Sequence, residues 1–259
     1  MIESAPAALR IGCVSYLNAQ PLIHGWPGPV VFDHPAALCR LLAEGELDVA
    51  LVSSFEFLRN PVYSIVDGVA VAANGPVFSV FVAHLSAVEE VLEIALDPAS
   101  RTSVNLLQCL LAERGLRPKL VDDATVPISE TRGRLLIGDQ AIRFRQRHGS
   151  EFEYLDLAVE WKRVTGLPFV FALWLIRPEV RDAATIAEEL RARRDVNFQG
   201  LDQLVAAQTE FSAEFCAYYF QECLRFVFGE GEKAGLLGFR SLCEKHGILA
   251  ANSAPLRLV

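Results

Sequence analysis

Two long apolar segments, at residues 77–84 and 169–176, bracket a central block in which short strands alternate with helices. Such alternation produces mostly parallel sheets that are covered by helices on both faces. The simplest interpretation is that the chain crosses between two α/β lobes at these segments, with residues 1–84 plus 172–259 in the first lobe and residues 85–171 in the second. A ligand cleft is expected between the lobes, where strand ends and helix starts converge.

Proline and glycine mark the clearest local elements. A helix is predicted over residues 35–44, with a proline in its first turn and a glycine just past its end, and another from about residue 102 to 113. From residue 181 onward the pattern is nearly all helical, including a segment begun by Ser212. Shorter strands are predicted at residues 9–15, 30–32, 49–52, 93–96, 134–137 and 152–157.

Composition limits the class of protein and its partners. The 259 residues are 52% hydrophobic and 22% charged, which is enough apolar material for a packed interior. A net charge of -8 argues against nucleic acid or an anionic membrane surface as the main partner, but it leaves room for a small anionic ligand in a local pocket. The longest apolar stretches are shorter than the roughly 18 residues that a membrane span needs.

Six scattered cysteines form no C-x-x-C pair and no Cys/His cluster, so free core thiols are expected and no metal site is predicted. Residues 1–12 show no basic region followed by an apolar segment, which favours the cytoplasm over export. The usual motifs of nucleotide, dinucleotide, serine hydrolase and zinc sites are missing from the sequence. The five histidines are isolated from one another, and His24 is the one nearest to the expected cleft.

Polar residues follow the first predicted strand directly. Tyr16 supplies a phenol, and Asn18 supplies both a hydrogen-bond donor and an acceptor at the carboxyl end of that strand. Asn18 has the alternative of ordinary turn chemistry before Pro21. Ser79 lies on the first apolar crossover segment, where its hydroxyl could face a ligand or bond to a neighbouring carbonyl.

Three further strand ends or helix starts carry groups suited to an anion. Arg101, Thr102 and Ser103 begin a helix for which Ser100 is the candidate N-cap, and free amides and the helix dipole attract anions there. Ser53 and Ser54 end a strand and begin a short helix, and Gly138 and Asp139 end another strand. Capping alone is the alternative for each of these sites.

Six stretches follow one another between residues 10 and 176: RIGCVSYLNAQPLIHG, GELDVALVSSFEFL, GPVFSV, SRTSVNLLQCLL, LLIGDQAI and EWKRVTGLPFVFALW. Together, and in this order, they resemble the chorismate dehydratases of the futalosine route to menaquinone. That family has the two-lobed α/β fold of type II periplasmic binding proteins, with two crossover strands, and a helical C-terminal region is compatible with it.

The resemblance implies a cofactor-free and metal-free elimination of water from chorismate, giving 3-[(1-carboxyvinyl)oxy]benzoate. Asn18 and Ser79 would touch the reacting part of the substrate, while Ser103 and Thr102 would hold a carboxylate. The remaining implied substrate-binding residues are Tyr16, Ser53, Ser54, Arg101, Gly138 and Asp139. The substrate is the implied partner, with no nucleic acid and no membrane, and a homodimer is left open.

Two questions stay open at this stage. No cleft segment contains an obvious general base, so one hypothesis is that the enolpyruvyl carboxylate of the substrate removes the C3 proton; His24 and Asp139 are the alternatives. Arg10, Arg101 and Arg143 could each pair with a substrate carboxylate. A non-catalytic solute-binding protein of the same fold is the competing function, and a ligand-sensing regulatory domain is a third.

Overall fold

The computed structural model describes residues 9–97, 101–123 and 125–259, and within them the chain forms two five-stranded sheets. The first sheet has the strand order β2-β1-β3-β10-β4, and the second has the order β7-β6-β8-β5-β9. The strands of the first sheet are β1 (Ile11–Cys13), β2 (Val30–Phe32), β3 (Val49–Ser53), β4 (Ser64–Ala73) and β10 (Phe169–Ile176). Those of the second are β5 (Val80–His84), β6 (Glu93–Ala95), β7 (Lys119–Val121), β8 (Arg132–Ile137) and β9 (Glu153–Asp156).

Both sheets combine parallel and antiparallel pairs in the same way. In the first, β1 pairs parallel with β2 and β3, and β10 runs antiparallel between β3 and β4. In the second, β6 pairs parallel with β7 and β8, and β5 runs antiparallel between β8 and β9. The central strands β3, β5 and β10 are almost entirely buried, as expected where helices cover both faces of a sheet.

Helices connect and cover the two sheets, and the part of the chain after β10 is helical as predicted. The two longest helices after β10 pack on the first sheet, and the last of them also contacts the helix over residues 101–113. The bounds of the helices are α1 (Gln20–Ile23), α2 (Pro35–Glu44), α3 (Ser54–Arg59), α4 (Arg101–Glu113), α5 (Gly138–His148), α6 (Leu157–Thr165), α7 (Ala183–Gln199), α8 (Leu201–Ala206), α9 (Ala213–Tyr218) and α10 (Glu230–Lys245). A π-helical turn, Tyr219–Cys223, continues α9.

The chain changes sheet twice, but not at the residues that the sequence indicated. It leaves the first sheet after β4 and enters the second at β5, so residues 80–84 pair in the second sheet. It returns through α6 to β10, so residues 169–171 pair in the first sheet. Both segments stand on the other side of the expected boundary, because a fully buried apolar strand has the same residue pattern whichever sheet it joins.

Most predicted local elements are confirmed. Helix α2 has the predicted bounds and ends at Gly45, whose φ of 81° is the left-handed conformation that favours glycine. Ser212 caps α9 by accepting from the Phe215 amide. Two strands, β4 and β7, were not predicted: β4 contains Asp67 and Gly68, which interrupt a strand pattern.

The interior holds the cysteines and two of the three tryptophans. All six cysteines are buried and free, as expected. Trp161 and Trp174 are fully buried in the core. None of the helices in the described part of the chain is both long and apolar enough to cross a bilayer.

Candidate active site

A cavity of about 70 Å³, partly open to solvent, lies where the carboxyl ends of β1, β3 and β8 meet the first crossover. Its apolar lining comes from both sheets and includes Val14, Leu51, Val80 and Phe171. Seven of the ten predicted site residues line it, namely Tyr16, Asn18, Ser53, Ser79, Thr102, Ser103 and Gly138. The other three, Ser54, Arg101 and Asp139, lie next to it and do not line it.

A carboxylate from the helix that follows β8 of the second sheet holds the loop after β1. Asp139, in the first turn of α5, accepts a hydrogen bond from the Leu17 amide at 2.9 Å. Leu17 and Ala19 are buried on either side, which leaves Asn18 half-buried and facing the cavity. Within residues 9–97, 101–123 and 125–259, no hydrogen bond satisfies the Asn18 amide, so its donor and acceptor groups are available to a ligand.

Gly138 and Tyr16 form a close contact between the two sides of the cavity. The φ of Gly138 is 58°, and a Cβ at that position would lie 3.0 Å from Cδ2 of Tyr16. Glycine is therefore required by both the backbone conformation and the aromatic ring. Burial, with the nearby charges of Asp97 and Asp139, raises the pKa of the Tyr16 phenol to about 12, so it is a neutral hydroxyl at physiological pH.

Ser79 is positioned by an unusual backbone. Phe78, immediately before it, has a φ of 67°, and the Val77 and Phe78 amides both donate to Asp156 Oδ2 at 3.0 Å. The carbonyl of Ser79 accepts from the Gly138 amide at 2.8 Å. Non-glycine residues rarely adopt a positive φ, and such strain is typical of functional sites.

The Ser79 hydroxyl also has a partner that the sequence analysis missed. The Tyr219 hydroxyl donates to Ser79 Oγ at 2.6 Å, and both side chains are fully buried. In the sequence, Tyr219 falls on one side of the helix predicted to begin at Ser212, together with Phe215 and Phe226. Its separation from Ser79 by 140 residues leaves no local signal that could have joined them.

Thr102, in the first turn of α4, makes hydrogen bonds with two neighbouring segments of the chain. Its hydroxyl donates to the Phe171 carbonyl at 3.3 Å, accepts from the Phe55 amide at 3.3 Å and contacts Ser53 Oγ. Ser54 turns away and donates to the Val170 carbonyl at 2.6 Å, which gives it a structural contact instead of a place on the cavity wall. The predicted N-cap of this helix, Ser100, lies outside the described residues.

The three candidate arginines are engaged elsewhere. Arg101 lies 3.6 Å from the fully buried Glu56, while Arg143 pairs with Glu210 and lines a separate cavity. Arg10 pairs with Asp48 at 2.5 Å at the amino end of β1, opposite to the cavity. The described lining of the cavity therefore contains no lysine or arginine.

The candidate base His24 also lies away from the cavity. His24 is exposed after α1 and does not line the cavity. In the described ranges, no group of three or more His, Cys, Asp or Glu side chains is arranged to hold a metal ion.

Asp139 gives a pH-dependent stability prediction. Burial raises the pKa of its carboxyl to about 6; the Leu17 hydrogen bond opposes this, Glu210 adds to it and Arg143 opposes it. A folded-state pKa above the unfolded value means that the native state loses stability as pH rises from about 4 to 6. Asp139→Asn keeps an acceptor for Leu17 without the charge, so the variant should become more stable than the wild type by about 1 to 3 kcal/mol above pH 7.

Urea unfolding at several pH values measures this difference. It should shrink as pH falls from about 6 to 4 and reach zero below about pH 3, where the wild-type carboxyl is protonated in both states. Asp202→Asn, at an exposed site on α8, is the matched control and should change stability by less than about 0.5 kcal/mol at each pH. A difference for Asp139→Asn that does not depend on pH would contradict the assignment.

Comparison with solved structures shows the fold. A protein of Archaeoglobus fulgidus superposes with a TM-score of 0.69 at 17% identity, covering 93% of this chain and 98% of that one. The periplasmic aliphatic sulphonate binding protein SsuA of Escherichia coli superposes with a TM-score of 0.64 at 14% identity, covering 95% of each chain. The expected periplasmic-binding-protein-like α/β fold is confirmed.

Comparison with known sequences shows the family. A chorismate dehydratase of Thermus thermophilus is 33% identical, with 76% of this chain and 80% of that protein covered. A chorismate dehydratase of Campylobacter jejuni is 26% identical, with 88% of this chain and 91% of that protein covered. The family described as menaquinone biosynthesis matches residues 9–245, and the chain belongs to this family.

Proposed function

We propose that this chain is a chorismate dehydratase, a hydro-lyase that converts chorismate to 3-[(1-carboxyvinyl)oxy]benzoate. The observation that carries the proposal is the cavity itself, where Asn18, which has no hydrogen-bond partner among the described residues, faces serine and threonine hydroxyls. The curated relatives named above bear the same activity in their names. Asn18 and Ser79 are the proposed catalytic residues.

Neutral donors and helix starts suit a substrate with two carboxylates. The starts of α4, at Thr102 and Ser103, and of α5, at Gly138, both border the cavity. A helix N-terminus offers free amides and a partial positive charge to an anion. Thr102 and Ser103 are the proposed carboxylate site, and Ser53 and Tyr16 are the proposed flanking walls.

The proposed reaction breaks two bonds to ring carbons, C3–H and C4–O. The proton at C3 is removed, its bonding electrons form the new ring double bond, and the C4–O bond breaks so that hydroxide leaves as water with that proton. Aromatisation of the ring supplies the driving force, so the protein chiefly has to orient the substrate and stabilise the departing oxygen. We propose that no cofactor takes part.

The substrate's enolpyruvyl carboxylate is the proposed base. Its competitors are placed poorly, because His24 is exposed away from the cavity and Asp139 has one oxygen engaged by the Leu17 amide. On this proposal Asp139→Asn retains kcat within about tenfold, because the residue acts on the loop and not on the proton. A base role for Asp139 would instead remove nearly all turnover and the limb of the pH–rate profile near its pKa.

The burial of the polar groups suggests how the cleft works. Ser79 is fully buried, and Thr102 and Ser103 are nearly so. A ligand can touch these hydroxyls only after the surrounding segments separate, and closure afterwards removes water from the site. Exclusion of water strengthens each hydrogen bond to the reacting oxygen atoms.

A solute-binding protein is the second candidate, because the periplasmic sulphonate binding protein shares the fold. Incubation of the purified protein with an excess of chorismate and a metal chelator separates the two. The enzyme should form many product molecules per chain. A receptor should show an increase in melting temperature with chorismate and no product.

We also propose a cytoplasmic location. Six buried free thiols are typical of a reducing compartment. A homodimer remains an alternative to the monomer, and light scattering of the purified protein distinguishes them.

A further inference from the structure

The Tyr219 hydroxyl forms a hydrogen bond with the side chain of Ser79, and Tyr219 itself does not line the cavity. Tyr219 is exposed neither to solvent nor to the cavity, because its relative exposure is 0% and it is absent from the cavity lining. Its hydroxyl donates to Ser79 Oγ at 2.6 Å. No other hydrogen bond of the Tyr219 side chain occurs in the described part of the chain.

The direction of this hydrogen bond determines what Ser79 can do. A serine hydroxyl has one proton and two acceptor sites. If Ser79 donated to Tyr219, the phenolic proton would be left buried without an acceptor, which is unfavourable. With Tyr219 as the donor, one acceptor site of Ser79 is filled and its own proton is free to point into the cavity.

We propose that Tyr219 is a positioning residue that makes Ser79 a hydrogen-bond donor to an oxygen atom of the bound substrate. This inference rests on the proposed function, because it concerns the same cavity. It adds a polar side chain from the C-terminal helical region, which otherwise contributes the apolar Leu224 to the cavity lining.

The surrounding contacts hold Tyr219 at this position. The ring of Phe215 stacks on it with centroids 5.6 Å apart and planes inclined by 14°, and Phe215 also contacts Phe78. The π-helical turn that begins at Tyr219 is followed by Arg225, whose backbone exchanges two hydrogen bonds with Ala72 of β4. π-Helical turns occur frequently at functional sites.

Ser79 is thereby fixed from two directions. Its carbonyl accepts from the Gly138 amide, and its hydroxyl accepts from Tyr219. The remaining freedom of the side chain is the direction of one proton, and the Tyr219 bond sets that direction. Preorganised donors of this kind stabilise developing negative charge without a cost of reorientation.

Tyr219 does not act as an acid through Ser79. A relay would leave a buried tyrosinate, and burial raises the pKa of Tyr219 far above its ordinary value. The phenol therefore keeps its proton throughout the reaction and serves only to orient Ser79.

A double-mutant cycle on the full chain tests this role. Tyr219→Phe removes only the hydroxyl, and it should lower kcat by about 10- to 100-fold with KM changed by less than about threefold. Ser79→Ala should lower kcat at least as much, and the double variant should be no slower than Ser79→Ala, because Tyr219 acts only through Ser79. Tyr63→Phe, at another buried tyrosine outside the cavity, is the matched control and should keep wild-type kcat.

Calorimetric titration with chorismate and melting temperatures complete the test. A purely structural role would lower the melting temperature and give kcat losses that multiply in the double variant, and this would overturn the inference. So would a Tyr219→Phe variant with kcat within twofold of wild type. If the wild type neither converts nor binds chorismate, the proposed function fails together with the inference; if it converts chorismate and only the Tyr219 results differ, the inference alone fails.

Discussion

Replacement of Asn18 by alanine is expected to lower kcat for chorismate by about 10²- to 10³-fold, the range found for losing one preorganised donor at a reacting oxygen. The reason is that the Asn18 amide faces the cavity, is half-buried and has no hydrogen-bond partner in the part of the chain that the structure describes. Steady-state kinetics with purified variants measures the effect. Melting temperatures show whether the fold is retained.

Gln20 provides the matched control for this variant. It lies two residues further along the same loop, at the start of α1, and does not line the cavity. Gln20→Ala should keep kcat within about threefold of wild type. Near-normal turnover by Asn18→Ala, or an equal loss in both variants, would remove Asn18 from the reaction.

Asp156→Asn is expected to reduce the free energy of unfolding by about 2 to 4 kcal/mol. The Asp156 carboxylate accepts four backbone amides: Oδ2 binds Val77 and Phe78 of the first crossover, and Oδ1 binds Ala158 and Val159 at the start of α6. An asparagine must place its NH₂ group against one of these pairs of N–H donors, whichever way it is turned. The same loss should disturb Ser79, which follows Phe78 directly.

Denaturant unfolding of the variant and of a matched control measures this effect. Asp182 also stands at a helix N-cap, before α7, but its side chain makes no capping hydrogen bond. Asp182→Asn should therefore change the free energy of unfolding by less than about 0.5 kcal/mol. If Asp156→Asn were equally mild, the two crossovers would not depend on this carboxylate.

The convergence of the site residues could be predicted from the sequence because topology alone brings them together. Asn18 follows β1, Ser53 ends β3 and Gly138 follows β8, and the carboxyl ends of strands in such sheets border the ligand cleft. Helix α2 was predictable because its proline and glycine punctuation is local.

Long-range partners could not be predicted in this way. Arg101 looked suited to a substrate carboxylate, yet Glu56 attracts it, and no sequence pattern shows that this glutamate is fully buried. Asp139 looked like a helix cap or a ligand contact, whereas its carboxylate holds the backbone of Leu17 in the other lobe. The bond between Tyr219 and Ser79 could not be predicted either, because it depends on how the C-terminal helices pack behind the crossover.

The central claim is that the protein eliminates water from chorismate that is bound in this cavity. Mass spectrometry of the reaction mixture, after the wild-type protein is incubated with chorismate alone, tests it most directly. The account predicts an aromatic acid lighter than chorismate by one water molecule, formed by the wild type and hardly at all by the Asn18→Ala/Ser79→Ala double variant. Unchanged chorismate with the folded wild-type protein, or equal product with the double variant, would contradict it.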